Sequence, residues 1–246
     1  MIKLIIFLTK LLIVAFCILL FSSCKTNFDF GEGEKGSGNR TTEARLATEK
    51  FDKIEVQQGI SVEVSQTETQ TIGVEIDDNI QKLILTSIEN GVLKIYAKES
   101  YNTNNSPKVR VSLPTVSSLK ASSGSRIDSK TTISSTNLNV KSSSGSSIEV
   151  DVEADNLTLE TSSGSTINAS GKALKLDTSA SSGSTIDANK LLANDVHAQA
   201  SSGSNTKVAA IVSLDAKASS GSSVRFSKSP KTITKDESSG GSVSGN

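Results

Sequence analysis

The chain has no tryptophan, one histidine, two cysteines, two tyrosines and three prolines in 246 residues. Each scarcity removes a class of function. A glycan-cleaving cleft draws on aromatic platforms beside a tuned carboxylate pair or a basic residue, and beyond Tyr101 the one aromatic residue is Phe226. A serine nucleophile needs a base within reach and an oxyanion hole. The lone His197 lies in a single repeat and is expected on the surface beside Gln199, so no enzyme is expected. With only Cys17 and Cys24, the chain offers neither a disulfide framework nor a zinc site. The Gly-Gly-x-Gly-x-Asp run of calcium-binding β-rolls is absent too, so no metal or other cofactor is expected. Twenty-six basic against 26 acidic side chains give no net charge. A partner selected by a basic stripe, such as a nucleic acid, is thereby excluded.

Long hydrophobic runs are confined to the N-terminus. Lys3 and Lys10 precede the stretch Leu11–Phe21, which Ser22-Ser23-Cys24 follows. A basic start, a short apolar segment and small residues before a cut site mark a secretory signal peptide. Residues 1–23 are read as that signal. The pattern resembles a bacterial lipoprotein signal, with Cys24 as the lipid attachment site, although Phe21 stands where such motifs usually carry Leu. The alternative is an uncleaved membrane anchor over residues 4–21. Residues 24–48, with Gly31-Glu32-Gly33-Glu34-Lys35-Gly36-Ser37-Gly38, have no apolar periodicity and are expected to form a flexible tether.

The rest of the chain divides into two regions. In residues 49–118, period-two alternation over Phe51–Val56, Ile60–Val64, Thr71–Ile76, Leu93–Ala97 and Val109–Leu113 predicts half-buried strands. Gln57-Gln58-Gly59 and Glu89-Asn90-Gly91 are turn signals. A short helix starting at Asp78 competes with strand for Asp78–Leu85. This stretch is expected to cap the N-terminal end of a repeat region. Over residues 119–246 the chain writes Ser-Ser-Gly-Ser six times, at Ser122, Ser143, Ser162, Ser181, Ser201 and Ser219, with a relaxed copy at Ser238. Spacings of 18–21 residues mark a solenoid in which each repeat buries its apolar edge against its neighbours.

Strict alternation through the repeat places Leu119, Ala121, Ser123, Ser125 and Ile127 inward. Each later rung keeps the same phase, the fourth with Leu174, Leu176, Thr178, Ala180, Ser182, Ser184 and Ile186. About half of the motif serines would then line the waist. Gly124, Gly145, Gly164, Gly183, Gly203 and Gly221 are assigned a structural role, a bend with positive φ. If that bend is sharp, alternation breaks across it while the apolar assignments on either side survive. The outward column Asp128, Glu149, Asn168, Asp187, Lys207, Arg225 ends in cations, which argues against a row of carboxylate ligands. The fold class expected is all-β: a parallel β-helix-like solenoid with rungs of about 20 residues and a β-rich N-terminal cap.

The opening segment Phe51–Val64, then Leu113-Pro114, Leu119-Lys120-Ala121-Ser122-Ser123-Gly124-Ser125, the Ser-Gly rungs and the closing Gly-Gly-Ser resemble the auto-transporter adhesin head, or GIN, domain of Bacteroidetes-type bacteria. The resemblance covers about residues 51–245. It implies a β-solenoid on an envelope lipoprotein and an adhesive or structural role, with no catalytic residues to carry over. The expectation is an outer-membrane lipoprotein, held to the membrane through its lipid and facing either side, with a glycan or protein ligand on the solenoid surface. Two alternatives stand beside it: a glycan-binding or glycan-processing β-helix, and a periplasmic scaffold or assembly module. Oligomeric state is left open.

Overall fold

The structure is a computed structural model that describes residues 33–245. The signal peptide expected over residues 1–23, and Cys24, lie outside the described residues. The N-terminal part contains β1 (Glu34–Lys35), β2 (Arg40–Arg45), β3 (Lys53–Val56), β4 (Ser61–Gln66) and β5 (Thr71–Asp77). A 3-10 turn over Asp78–Leu83 leads to β6 (Ile84–Glu89), β7 (Val92–Ala97), β8 (Tyr101–Asn102) and β9 (Lys108–Leu113). The repeats build β10 (Ser118–Ala121), β11 (Arg126–Ser129), β12 (Ile133–Ser142), β13 (Ser147–Thr161) and β14 (Thr166–Ala180). They continue through β15 (Thr185–Ala200), β16 (Asn205–Ala218), β17 (Ser223–Phe226), β18 (Thr232–Glu237) and β19 (Ser242–Gly245).

These strands stack as the parallel coils of a β-solenoid, about 19 residues per coil. One face runs β6–β7–β3–β10, then through the C-terminal halves of β12 to β16, and ends at β18. The opposing face runs β2–β5–β9–β4–β11, then through the N-terminal halves of β13 to β16, and ends at β17 and β19. Like residues sit above like. The interior column Val62, Ile127, Ile148, Ile167, Ile186, Thr206, Val224, Val243 is buried along its whole length. β-branched side chains suit such a pleated, stacked interior.

The Ser-Ser-Gly-Ser motif is the turn joining the two faces. Its second Ser and its Gly both have positive φ, 53° and 72° at Ser123 and Gly124, with the same pattern in every copy. Two successive left-handed residues make a type I′-like reversal, closed here by the Ser125 amide donating to the Ser122 carbonyl. Gly is suited to the second of these positions because an L side chain is strained there. The reversal breaks strict alternation, so the expectation for the second serine is corrected: Ser123, Ser144, Ser163, Ser182, Ser202 and Ser220 are exposed. Only the last serine, at the fourth position of the motif, is buried in all six copies. Ser146 Oγ shows why, lying 2.8 Å from the carbonyl of Ala121 one coil below and 2.7 Å from that of Ser143, while accepting from the Ser143 amide at 3.0 Å. Turns also bond to each other: the Gly124 amide donates to Ser144, Gly145 to Ser163 and so on to Ser239.

The coil geometry begins before the first Ser-Gly copy. β3, the Gln58–Gly59 reversal and β4 form a coil in register with β10 and β11, and β7 and β9 stack beneath it. The chain therefore lays one coil, adds another below it, and then climbs. Asp78–Leu83 closes that lower end with Ile80 and Leu83 buried. The tether expected over 24–48 is shortened: residues 24–32 lie outside the described residues, while β2 pairs antiparallel with β5. Backbone pairing and the Arg40–Glu75 ion pair order a segment that lacks any apolar periodicity. Just before β2, Asp77 draws the loop in, accepting hydrogen bonds from Asn105, Thr103 and the Gly38 amide. Those bonds hold its carboxyl below the usual aspartate range.

The upper end is closed differently. Lys235 and Glu237 occupy inward positions of β18, level with Ala216 and Ala218. Glu237 accepts from the Val243 amide and Lys235 donates to the Val243 carbonyl at 3.0 Å. The Lys235 ammonium also stands 5.2 Å from the centre of the Phe226 ring. Inward-pointing charge both ends the core and blunts the last strand edges. Among the described residues no helix is long and apolar enough to cross a membrane.

Candidate ligand groove

A groove of about 930 Å³ crosses the coils where each passes from one solenoid face to the next. Ser135, Ala154 and Ala173 line its floor, in a column that continues rung to rung through the buried Ala193 and Ala210. Side chains this small leave a trough between the flanking columns. Along the trough the chemistry changes. Ser135, Asn137 and Asp155 line the lower coils, whereas Leu174, Leu192 and Ile211 line the upper ones. Those three aliphatic side chains are 53%, 42% and 44% exposed. Exposed apolar side chains gathered around one groove and rimmed by polar groups mark interaction sites.

Leu174 was expected inward by period-two alternation, and the structure corrects this. The chain bends after Ala173, which stays buried while Leu174 turns out. An earlier bend has its own signature: Gly171, at φ 107°, has no room for a Cβ because the Val152 carbonyl occupies that space. The register shift between β15 and β16 after Ala193 sets Ile211 and Val212 against the single residue Asn194, and Ile211 lines the groove wall. Ile211 stands out of phase with Leu214, Ala216 and Ala218, which was the available signal in the sequence, whereas Leu174 shares the phase of Leu176 and gave none.

The repeat glycines lie apart from this groove, at turn apices where an added Cβ would meet nothing. The outward column stands as expected, with Asp128, Glu149, Asn168, Asp187, Lys207 and Arg225 in successive pairing. Its acids are occupied: Arg126 pairs with Asp128 and Glu149, and Lys207 with Asp187. His197 lies at the surface beside Gln199, its Nδ1 3.0 Å from Asp215 and its Nε2 2.6 Å from Gln199 Nε2. Among the described residues, no group of three or more His, Cys, Asp or Glu is placed to hold a metal ion.

Residues 50–230 match the family model described as "Putative auto-transporter adhesin, head GIN domain". The chain belongs to that family. A putative adhesin of Bacteroides fragilis has the same fold at 18% identity, with a TM-score of 0.81 over 87% of this chain and all of that one. A putative adhesin of Parabacteroides merdae matches at 18% identity and a TM-score of 0.71, over 87% of this chain and 99% of its own. A "Putative lipid binding protein" of Parabacteroides distasonis matches at 17% identity and 0.69, over 87% and 100%. No curated protein matches the chain. The family supports an adhesion-type role at the cell envelope or surface, and the neighbours share its fold.

Proposed function

We propose that this GIN-domain chain is an outer-membrane lipoprotein, anchored through Cys24, that adheres through the groove across its coils rather than by turning over a substrate. The observation that carries this reading is the exposure of Leu174, Leu192 and Ile211 around one groove with a floor of small residues. A soluble solenoid gains nothing in stability from three aliphatic side chains in water, whereas covering them on binding is favourable. The partner that fits is an amphipathic protein segment, its apolar side chains on the upper coils and its polar groups against Ser135 and Asn137. A saccharide would want aromatic faces, and no aromatic lines the groove.

Two measurements test it. Cells carrying the full chain should bind host or neighbour-cell protein surfaces, and Leu174→Ser with Leu192→Ser should abolish that binding while leaving stability within about 0.5 kcal/mol, as expected of surface substitutions. Binding that survives the double change, but not changes on the Asp128–Arg225 column, would move the site to that column. Separately, labelled fatty acid should enter the wild-type chain and not Cys24→Ala. Equal labelling of both would remove the lipid anchor from the proposal.

A further inference from the structure

A solenoid has four exposed strand edges, two at each end, and every open edge is a template for another strand. Three are blunted here. Lys235 and Glu237 cover β18 and β19, and β2 carries Arg40, Glu43 and Arg45 along six residues. The fourth, β6, reads Ile-Leu-Thr-Ser-Ile-Glu, with no proline or basic residue and a single charge at its last position. Among the described residues its one register-paired strand is β7.

The direction of its free groups is set by the hairpin. The Lys98 amide donates to the Leu83 carbonyl, and in an antiparallel pair every second residue faces the partner strand. Leu85, Ser87 and Glu89 therefore bond to β7, and the amides and carbonyls of Ile84, Thr86 and Ile88 point outward. The Ile84 amide is taken by the Gln81 carbonyl. Among the described residues, no hydrogen bond engages the main chain of Thr86 or Ile88.

We infer that this edge pairs antiparallel with the β6 edge of a second copy of the chain, about a two-fold axis through Thr86. The register is self-complementary. With Thr86 opposite Thr86, Ile84 meets Ile88 in both directions on the core side, and Leu85 meets Ser87 on the outer side. Thr86 and Ile88 amides find the Thr86 and Ile84 carbonyls of the other copy, giving four main-chain bonds. No like charges oppose each other, and Glu89 comes to lie at the other copy's 3-10 turn, which carries Lys82. Such an isologous contact closes at two chains. It would hold two adhesive heads as a pair, so that weak groove contacts act together. This inference does not depend on what the groove binds.

Cysteine pairing on cells tests it. Residues opposite in a hydrogen-bonded antiparallel pair have Cα atoms about 5.5 Å apart, inside the range of about 4.4–6.8 Å that a disulfide spans. The full chain with Thr86→Cys should form a reducible dimer at least about tenfold above the parental chain and above Glu237→Cys, at the opposite end, given that geometric requirement. Adding Leu85→Lys, which brings like charges to the strand pair, should remove the dimer. Equal cross-linking of Thr86→Cys and Glu237→Cys, or cross-linking indifferent to Leu85→Lys, overturns the inference. So does a full chain without substitutions that sediments as a monomer in detergent at every concentration.

Discussion

Thr206 is the polar member of an otherwise aliphatic column, between Ile186 below and Val224 above. It is fully buried, and its hydroxyl finds no hydrogen-bond partner among the described residues. Thr206→Val keeps the shape and the β-branched rotamer while replacing that hydroxyl by a methyl group. A buried polar group without a partner costs about 1–3 kcal/mol. The column already accepts Val or Ile at Val62, Ile127, Ile148, Ile167, Ile186, Val224 and Val243, so no overpacking term offsets the gain. Stabilisation of about 1.5 kcal/mol is expected, a rise of about 3–6 °C in midpoint for a chain of this size. Thermal melting and urea unfolding of the parent and variant measure it, with the urea slope unchanged. A midpoint equal to or below the parent's would refute the reasoning, because it would mean that the hydroxyl has a partner, such as a buried water, worth as much as the packing.

The same interior gives further expectations. Ser146→Ala removes the hydroxyl that bridges Ala121, Ser143 and Ser142, and should cost about 1–3 kcal/mol, whereas Ser144→Ala, exposed two residues away, should stay within about 0.5 kcal/mol in urea unfolding; equal losses would show that the motif is not asymmetric. The Asp77 carboxylate, stabilised first by Asn105 and then by Thr103, has a folded pKa below its unfolded one. Its contribution is thus fully present above the unfolded value and is lost as pH falls through the folded value. Hydrogen exchange of residues 34–45 should rise in that acid window and lose its pH dependence in Asp77→Asn, and an unchanged profile in the variant would assign the effect to other carboxylates.

How far the fold could be read from the chain differs between regions for a physical reason. The repeat announces itself because stacking demands the same side chain at the same place in every coil, and the apolar positions Leu119, Ile127, Leu138, Ile148, Leu157 and Ile167 fell where alternation placed them. Alternation carries no information across a corner. That is why Ser123 and Leu174, assigned inward, stand in solvent. β2 was invisible because pairing with β5 uses backbone groups that every residue owns, and the β7–β9 coil because its position below β3 and β4 reverses chain order.

By itself the sequence determined a β-solenoid with Ser-Gly reversals, since period, small residues and β-branched columns are local requirements repeated coil after coil. The tertiary structure alone decided which serine of each motif is the internal staple, how Lys235 and Glu237 close one end, where the floor of small residues opens a groove, and which strand edge is left bare. Those outcomes depend on corners, register shifts and strand order. None of them is written in the periodicity of a single strand, because each arises only when distant coils are brought side by side.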